Sequence, residues 1–452
     1  MLHPETLRER SPAGLAAEIS RLVHDGTLAP GERLPTVREV SSTLGVSAGT
    51  VGAAWTALAR AGLIVARGRA GTFVRAERQE LTPRVQGLAG RAAAPDATPR
   101  LDLSLGTPDP AMLPPLHSAF TRVAARADTG RYHDLPVLPE LEALLRASWP
   151  TAGVEAITVV DGALDGIART LEQTVRFGER VAVESPGFPY FFDLLDALGL
   201  EAVPLRSDGD GVLTSSLQRA LARGVAAVLL QPRAQNPTGA STSPDRARAL
   251  ARTIIEAPGA TRVVVIEDDH SALISSAPPV TLATWIPHQV VHVRSFSKSH
   301  GPDLRIAALG GPASIVEPLV ARRMLGPGWT SRLLQTVLAG LLTDETAIAR
   351  VRTARLIYRD RLDHLAASLR ALGVDVGAPD GINLWMPVVD ERAALVHLAA
   401  EGILVGAGAP FQASAPGGDD GPHVRVTAGA VTANSRLVAE ALARAAAAPA
   451  LG

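Results

Sequence analysis

Apolar positions recur at helical spacing in the first part of the chain. Leu15, Ile19, Leu22 and Val23 share one face of a segment that Ser11-Pro12 can cap and open, ending near Asp25-Gly26. Thr36-Val37-Arg38-Glu39 has the spacing of a capping box and leads a short second helix with Val37, Val40 and Leu44 apolar, broken by Gly45. Ser47 can cap a third helix bearing Val51, Ala54, Trp55 and Leu58 and closed by Gly62. Residues 63–65 and 72–74 then flank Arg67-Gly68-Arg69-Ala70-Gly71 as a basic hairpin. Three helices and a hairpin predict a winged helix-turn-helix over residues 1–75.

The pattern then changes twice. Residues 76–100 mix Ala, Pro, Gly and charge without sustained periodicity and read as a solvated linker. From Leu101 onward, apolar runs of strand length at 157–160, 180–183, 226–230, 263–266, 290–293 and 306–309 alternate with helix-length segments. Such alternation predicts an α/β body over residues 101–449, with a mainly parallel sheet wrapped by helices and ligand groups at the carboxyl ends of the strands. Polar clusters fall at those ends: Asp161-Gly162-Ala163-Leu164, Pro186-Gly187-Phe188-Pro189, Asn236-Pro237-Thr238-Gly239, Asp268-Asp269-His270 and Ser295-Phe296-Ser297-Lys298.

Composition narrows the chemistry. A chain of 452 residues with 46% hydrophobic and 20% charged side chains can bury a sizeable core. Without cysteine, disulfides and thiolate metal sites are excluded, and no metal is expected. The polar start and the lack of any run near ~18 apolar residues predict a cytoplasmic protein with no membrane span. A net charge of −1 argues against a general nucleic-acid binder, yet residues 1–100 hold 13 Arg against 9 Asp and Glu. A basic head therefore precedes an acidic body.

Among the 44 basic side chains there is one lysine, Lys298. Arginine can serve for ion pairs and phosphate contacts, but its guanidinium stays protonated and cannot condense with an aldehyde, whereas an amine of lowered pKa can. Lys298 follows an apolar strand, sits beside Ser295 and Ser297, and precedes Arg305. Hydroxyls and a guanidinium around an amine suit a phosphorylated aldehyde cofactor.

Two resemblances follow. Residues 30–39, Leu44-Gly45-Val46-Ser47, Thr50-Val51, Ala61-Gly62-Leu63 and Gly71-Thr72-Phe73-Val74 resemble the DNA-binding domain of GntR-type regulators, over about residues 8–75. That likeness implies that Arg38, Ser47, Thr50, Arg67 and Arg69 face double-stranded DNA. Positions 48, 49 and 52 are Ala, Gly and Gly, leaving no long side chain there for bidentate base readout. Weak binding by one such domain implies that two copies pair.

The body, over about residues 101–447, resembles fold type I pyridoxal 5′-phosphate (PLP) enzymes of the aminotransferase class. The resemblance implies that Lys298 forms the Schiff base and Asp268 faces the pyridine nitrogen. It also implies that Asn236 donates to the ring O3′ and Phe188 stacks on the ring. Gly162, Ala163, Ser295, Ser297 and Arg305 would surround the phosphate, Tyr132 would reach a partner subunit's phosphate, and Arg425 would grip a substrate carboxylate. A winged helix on such a body resembles the MocR/GabR subfamily, as does the arginine- and tyrosine-bearing stretch 351–362. It implies a head-to-tail homodimer, each head against the other subunit's body, that regulates transcription by sensing an amine or amino acid through PLP. An active aminotransferase with an accessory DNA-binding domain is the alternative, and PLP as the signal itself a third reading. Three departures stand out: His270 where a tyrosine is usual, Asp161 beside the phosphate loop, and no glycine after Tyr132. They favour sensing over efficient turnover.

Overall fold

A computed structural model of the chain describes residues 4, 7–60, 63–66, 71–74, 84, 100–125, 132, 135–413 and 421–450. Gly62 and the hairpin arginines Arg67 and Arg69 lie outside them. In the head, α1 (Pro12–His24) begins where the Ser11 hydroxyl accepts from the Gly14 N–H and Pro12 takes the first helical position. A short strand β1 (Arg33–Leu34) precedes α2 (Val37–Leu44), whose Thr36 and Glu39 satisfy each other's backbone as a capping box at 3.2 and 2.7 Å. After α3 (Ala48–Arg60), β2 (Ile64–Ala66) and β3 (Thr72–Val74) form the hairpin. The hydrophobic pattern did not reveal β1, which is too short for a period, yet it pairs with β3 and makes the wing sheet three-stranded. Leu15, Ile19, Val40, Val51, Ala54 and Leu58 fill the core between the helices.

The body opens with β4 (Leu101–Leu103), α4 (His117–Ala124) and α5 (Pro139–Ala147). The large domain continues as β5 (Ala156–Val160), α6 (Ala163–Thr174), β6 (Arg180–Glu184), α7 (Pro189–Ala197) and β7 (Glu201–Leu205). A two-stranded ribbon, β8 (Ser207–Asp208) and β9 (Gly211–Val212), leads to α8 (Thr214–Ala222), β10 (Ala227–Leu230), α9 (Pro244–Ile255) and β11 (Val264–Asp269). Then come β12 (Val290–Ser295), α10 (Ser297–His300), β13 (Ala307–Gly311), α11 (Ala313–Met324) and α12 (Arg332–Thr343). The long α13 (Glu345–Ala371) crosses to a small domain of β14 (Leu384–Pro387), α14 (Glu391–Ala400), β15 (Ile403–Ala407), β16 (His423–Val426) and α15 (Ser435–Ala446).

Seven strands form the large sheet in the order β5-β13-β12-β11-β10-β6-β7. Only β13 runs against the rest, so the sheet is mainly parallel and its apolar strands are covered on both faces. The strand that the pattern missed, β7, carries Pro204, which an edge position tolerates because one side of the strand has no ladder to supply. In the small sheet, order β14-β16-β15-β4, the strand that follows the linker pairs parallel with β15. Tyr358 on α13 is buried and accepts from the Asp109 N–H at 3.0 Å, while Arg361 pairs with the Asp109 carboxylate at 2.9 Å. The helix thereby fixes the loop after β4.

Phe177, from the turn before β6, packs against the head's core. In the single chain the head thus rests on its own body; the expected contact with a partner's body is a property of a dimer. No helix among the described residues is long and apolar enough to cross a membrane, and no metal-binding cluster of His, Cys, Asp or Glu occurs among them.

Candidate cofactor site and nucleic-acid face

Parallel pairing brings the carboxyl ends of β5, β6, β10, β11 and β12 to one edge of the sheet. The antiparallel β13 starts at that same edge, just after Arg305. Residues far apart in sequence meet there for this reason alone.

Lys298 lies in the single turn of α10, half-buried, and its Nζ donates to the carbonyl of Gly106. Burial, with the Arg425 charge as the second cause, pulls the amine down to about 8; Asp268 opposes the shift. Arg425 is buried on β16, its Nη2 donating to the Ser104 carbonyl and its Nη1 to Asn236 Oδ1 at 3.5 Å. The guanidinium lies 5.2 Å from the Phe411 ring centre, and its Nε has no protein partner. At Gly106, with φ of +62°, an added Cβ would sit 2.9 Å from Arg425 Nη1, so only glycine permits this approach. Lys298, Arg425 and Asn236 are therefore brought together around one loop.

Asp268 is buried near the end of β11. Its Oδ2 accepts from Gln231 Nε2 at 2.8 Å, and its Oδ1 is buried without a partner. Burial first, and the neighbouring Asp269 second, push this carboxyl up to about 7. Asp269 behaves oppositely: against the effect of burial, His292 and the Arg233 fork hold it well below the usual carboxylate range. His270 is pulled down to about 3, by burial and then by the Lys298 charge, and is neutral. Its Nε2 meets Ser271 Oγ at 3.0 Å, while Nδ1 is buried and unpaired. Phe188 caps α7, half-buried, with its ring perpendicular to Phe191 at 5.3 Å.

Opposite these groups, Gly162 and Ala163 open α6, whose N-terminus has no side-chain cap. Gly162 has φ of +102°, and a Cβ there would lie 2.7 Å from the Arg305 guanidinium. Arg305 donates to the Asp161 carbonyl at 3.0 Å, and Ser295 Oγ accepts from the Ser297 N–H at 3.2 Å. The negative charge of Asp161, a misfit in the sequence, is matched: buried Arg323 pairs with it at 2.7 Å and the Thr330 hydroxyl donates to it at 2.7 Å. Exposed Tyr132, 80% accessible, forms an edge-type ring contact with Trp329, the centroids 6.3 Å apart.

On the head, Arg38 and Ser47 are exposed and Thr50 is half-buried. Ser47 Oγ accepts from the Thr50 N–H at 3.0 Å and lies 2.9 Å from Thr50 Oγ1, so both hydroxyls already serve the start of α3. A Cβ on Gly52 would meet open space. The opening turns of α3 carry only small side chains, and Arg38 is exposed on the preceding α2.

Sequence reasoning overlooked Gln231, Glu184, Arg323 and Gly106. Gln231 directly follows the apolar run 226–230, a strand-end position that marks it as a site neighbour. Arg323 gives no local signal, because it follows Arg322 in the last turn of a helix and nothing nearby in sequence tells the two apart.

Fold and site together define a class: a DNA-binding winged helix carried by a body of the PLP-dependent aminotransferase fold. Residues 98–442 match the family described as aminotransferase class I and II, which is PLP-dependent, and residues 13–74 the bacterial regulatory proteins of the gntR family. The vitamin B6 salvage pathway transcriptional repressor PtsJ of Salmonella typhimurium is 40% identical over 86% of this chain and 89% of its own. The HTH-type pyridoxine biosynthesis transcriptional regulator PdxR of Corynebacterium glutamicum is 29% identical over 77% of each chain. In fold, the body is similar to the α-aminoadipate aminotransferase LysN of Thermus thermophilus, with a TM-score of 0.67 and 21% identity over 80% of this chain and 95% of that one. This chain belongs to the MocR/GabR subfamily of GntR-type transcriptional regulators.

Proposed function

We propose that this regulator binds PLP at Lys298 and that cofactor occupancy changes its affinity for an operator. The observation that carries the reading is the set of groups left for a ligand at one strand edge: an amine of lowered pKa, and the unpartnered buried atoms Asp268 Oδ1 and His270 Nδ1. They fit a phosphorylated pyridine aldehyde. Asp268 Oδ1 would face the ring nitrogen, Asn236 and His270 the ring O3′, Phe188 the ring face, and Gly162, Ala163, Ser295, Ser297 and Arg305 the phosphate. Bound there, PLP supplies an electrophilic aldehyde and an electron-withdrawing ring. The chain's own part is to hold the Lys298 amine close to deprotonation and to keep a charge or proton at Asp268.

Vitamin B6 as the signal is favoured by the names of the Salmonella and Corynebacterium relatives, which concern vitamin B6 salvage and pyridoxine biosynthesis. A second reading, an amine or amino acid as effector, is favoured by Arg425, whose buried Nε lacks an acceptor and suits a carboxylate. The effector would have to bind the two body conformations unequally to move the heads. We place the protein in the cytoplasm as a head-to-tail homodimer, with Tyr132 exposed toward the partner's site.

Absorbance of the purified protein with PLP, beside Lys298→Ala and before and after borohydride, tests the site. A bound-cofactor band that reduction locks onto Lys298 and that the variant lacks supports it; a free-PLP spectrum from both proteins overturns it. Anisotropy of labelled DNA from upstream of the gene, titrated with PLP alone and then with amino acids, separates the two signals. Steady keto-acid release with 2-oxoglutarate would instead support a working aminotransferase.

A further inference from the structure

Gln231 is the first residue after β10 and is only 3% exposed. Its backbone N–H donates to Glu184 Oε2 at 2.6 Å, at the end of β6. Its side-chain Oε1 accepts from the Asn236 N–H at 2.9 Å, and its Nε2 donates to Asp268 Oδ2 at 2.8 Å. One residue thus ties the ends of three adjacent strands and the loop that carries Asn236. We propose that Gln231 is the positioning residue of the cofactor site, setting Asp268 and Asn236 as one unit and fixing which Asp268 oxygen faces the ring. The inference rests on the PLP reading above.

The chemistry of the amide makes the assignment directional. Asn236 N–H can only donate, so the Gln231 oxygen must point to it; the nitrogen must then point to Asp268. Because Nε2 has no acceptor capacity, Asp268 Oδ2 has to receive, and a proton on this carboxyl is favoured on Oδ1, since a hydroxyl oxygen accepts more weakly than a carbonyl oxygen. Oδ1 is the atom without a protein partner. A glutamine here therefore selects the oxygen that meets the pyridine nitrogen, which an apolar residue of equal size cannot do. Around Asp268 stand Glu184 from β6, Asp269 on β11, His292 from β12 and Lys298. Burial pushes Glu184 up to about 8, so the acid beneath the amide carries little charge near neutrality.

A double-mutant cycle with the full-length protein tests this. Gln231→Glu places a carboxylate against Asp268 Oδ2, with nothing to donate. PLP should still be trapped at Lys298 by borohydride, but its dissociation constant should rise roughly tenfold or more, and the pH at which the bound band titrates should move. In an Asp268→Asn background the same change should cost within about twofold, because the asparagine amide can donate where the aspartate could only accept. Additive effects across the cycle would show that Gln231 acts by general packing and would overturn the proposal. If Gln231→Glu does not fold, Gln231→Met completes the same cycle, again with non-additivity expected. A wild-type protein that never leaves the free-PLP spectrum would instead sink the cofactor reading, a distinct result.

Discussion

In the head, the described residues proposed to face DNA come from α2 and the start of α3, stand at or near the surface, and rest on caps made by their immediate neighbours. In the body, the candidate site gathers residues at the ends of β5, β6, β10, β11 and β12 and on β16, and its buried Asp268 and Arg425 are held by partners far away in sequence. The difference teaches where single substitutions will matter. A surface arginine adds its share of electrostatic attraction and little more. A buried polar group leaves its partner unsatisfied when removed, which costs about 1–3 kcal/mol before any ligand is considered.

The sharpest break between the regions should come at Lys298. Lys298→Ala should abolish borohydride-stable PLP labelling and make DNA binding indifferent to PLP, while DNA affinity without PLP is unchanged; Lys298→Arg should not rescue labelling. Next, Asp268→Ala should weaken PLP by one to two powers of ten, about 1.4–2.7 kcal/mol, in a fluorescence titration. Retention of full affinity would remove Asp268 from the site.

Proton linkage separates the regions further. Burial holds Asp268 up to about 7 and Glu184 up to about 8, so the folded body keeps protons that the unfolded chain releases near 3.8 and 4.5. Their contribution to stability is full below those unfolded values and is lost as pH rises through 7 and 8. Thermal melts of the cofactor-free protein should therefore fall between pH 5 and 8, and Glu184→Gln should flatten that slope. A slope identical in the variant would show that Glu184 ionises freely.

The smallest effects belong to the head. Arg38→Ala should lower the dependence of log affinity on log salt by about one unit across all DNA sequences, with PLP binding unaltered. Thr36→Ala should destabilise the head by about 1 kcal/mol through loss of the capping box, read by hydrogen exchange in α2.

Much of the head was legible because its signals are local: Ser11-Pro12, the Thr36 and Glu39 box and the helical spacing all act within a few residues. In the body, strand runs and the polar clusters behind them were legible for the same reason, and the lone lysine pointed to the sheet edge where those clusters meet. Other features needed the fold. That β13 runs backwards, that an edge accepts Pro204 in β7, and that β1 joins the wing depend on which strands become neighbours. Arg323 lies 162 positions from the Asp161 it neutralises, and Gln231 gains its role only once β6, β10 and β11 align. Sequence by itself determined the caps and the periods, because these depend on adjacent residues, and it singled out one lysine amine as the candidate. Only the tertiary structure decided how each buried charge is matched, because a partner there is whatever long-range packing brings within hydrogen-bond reach.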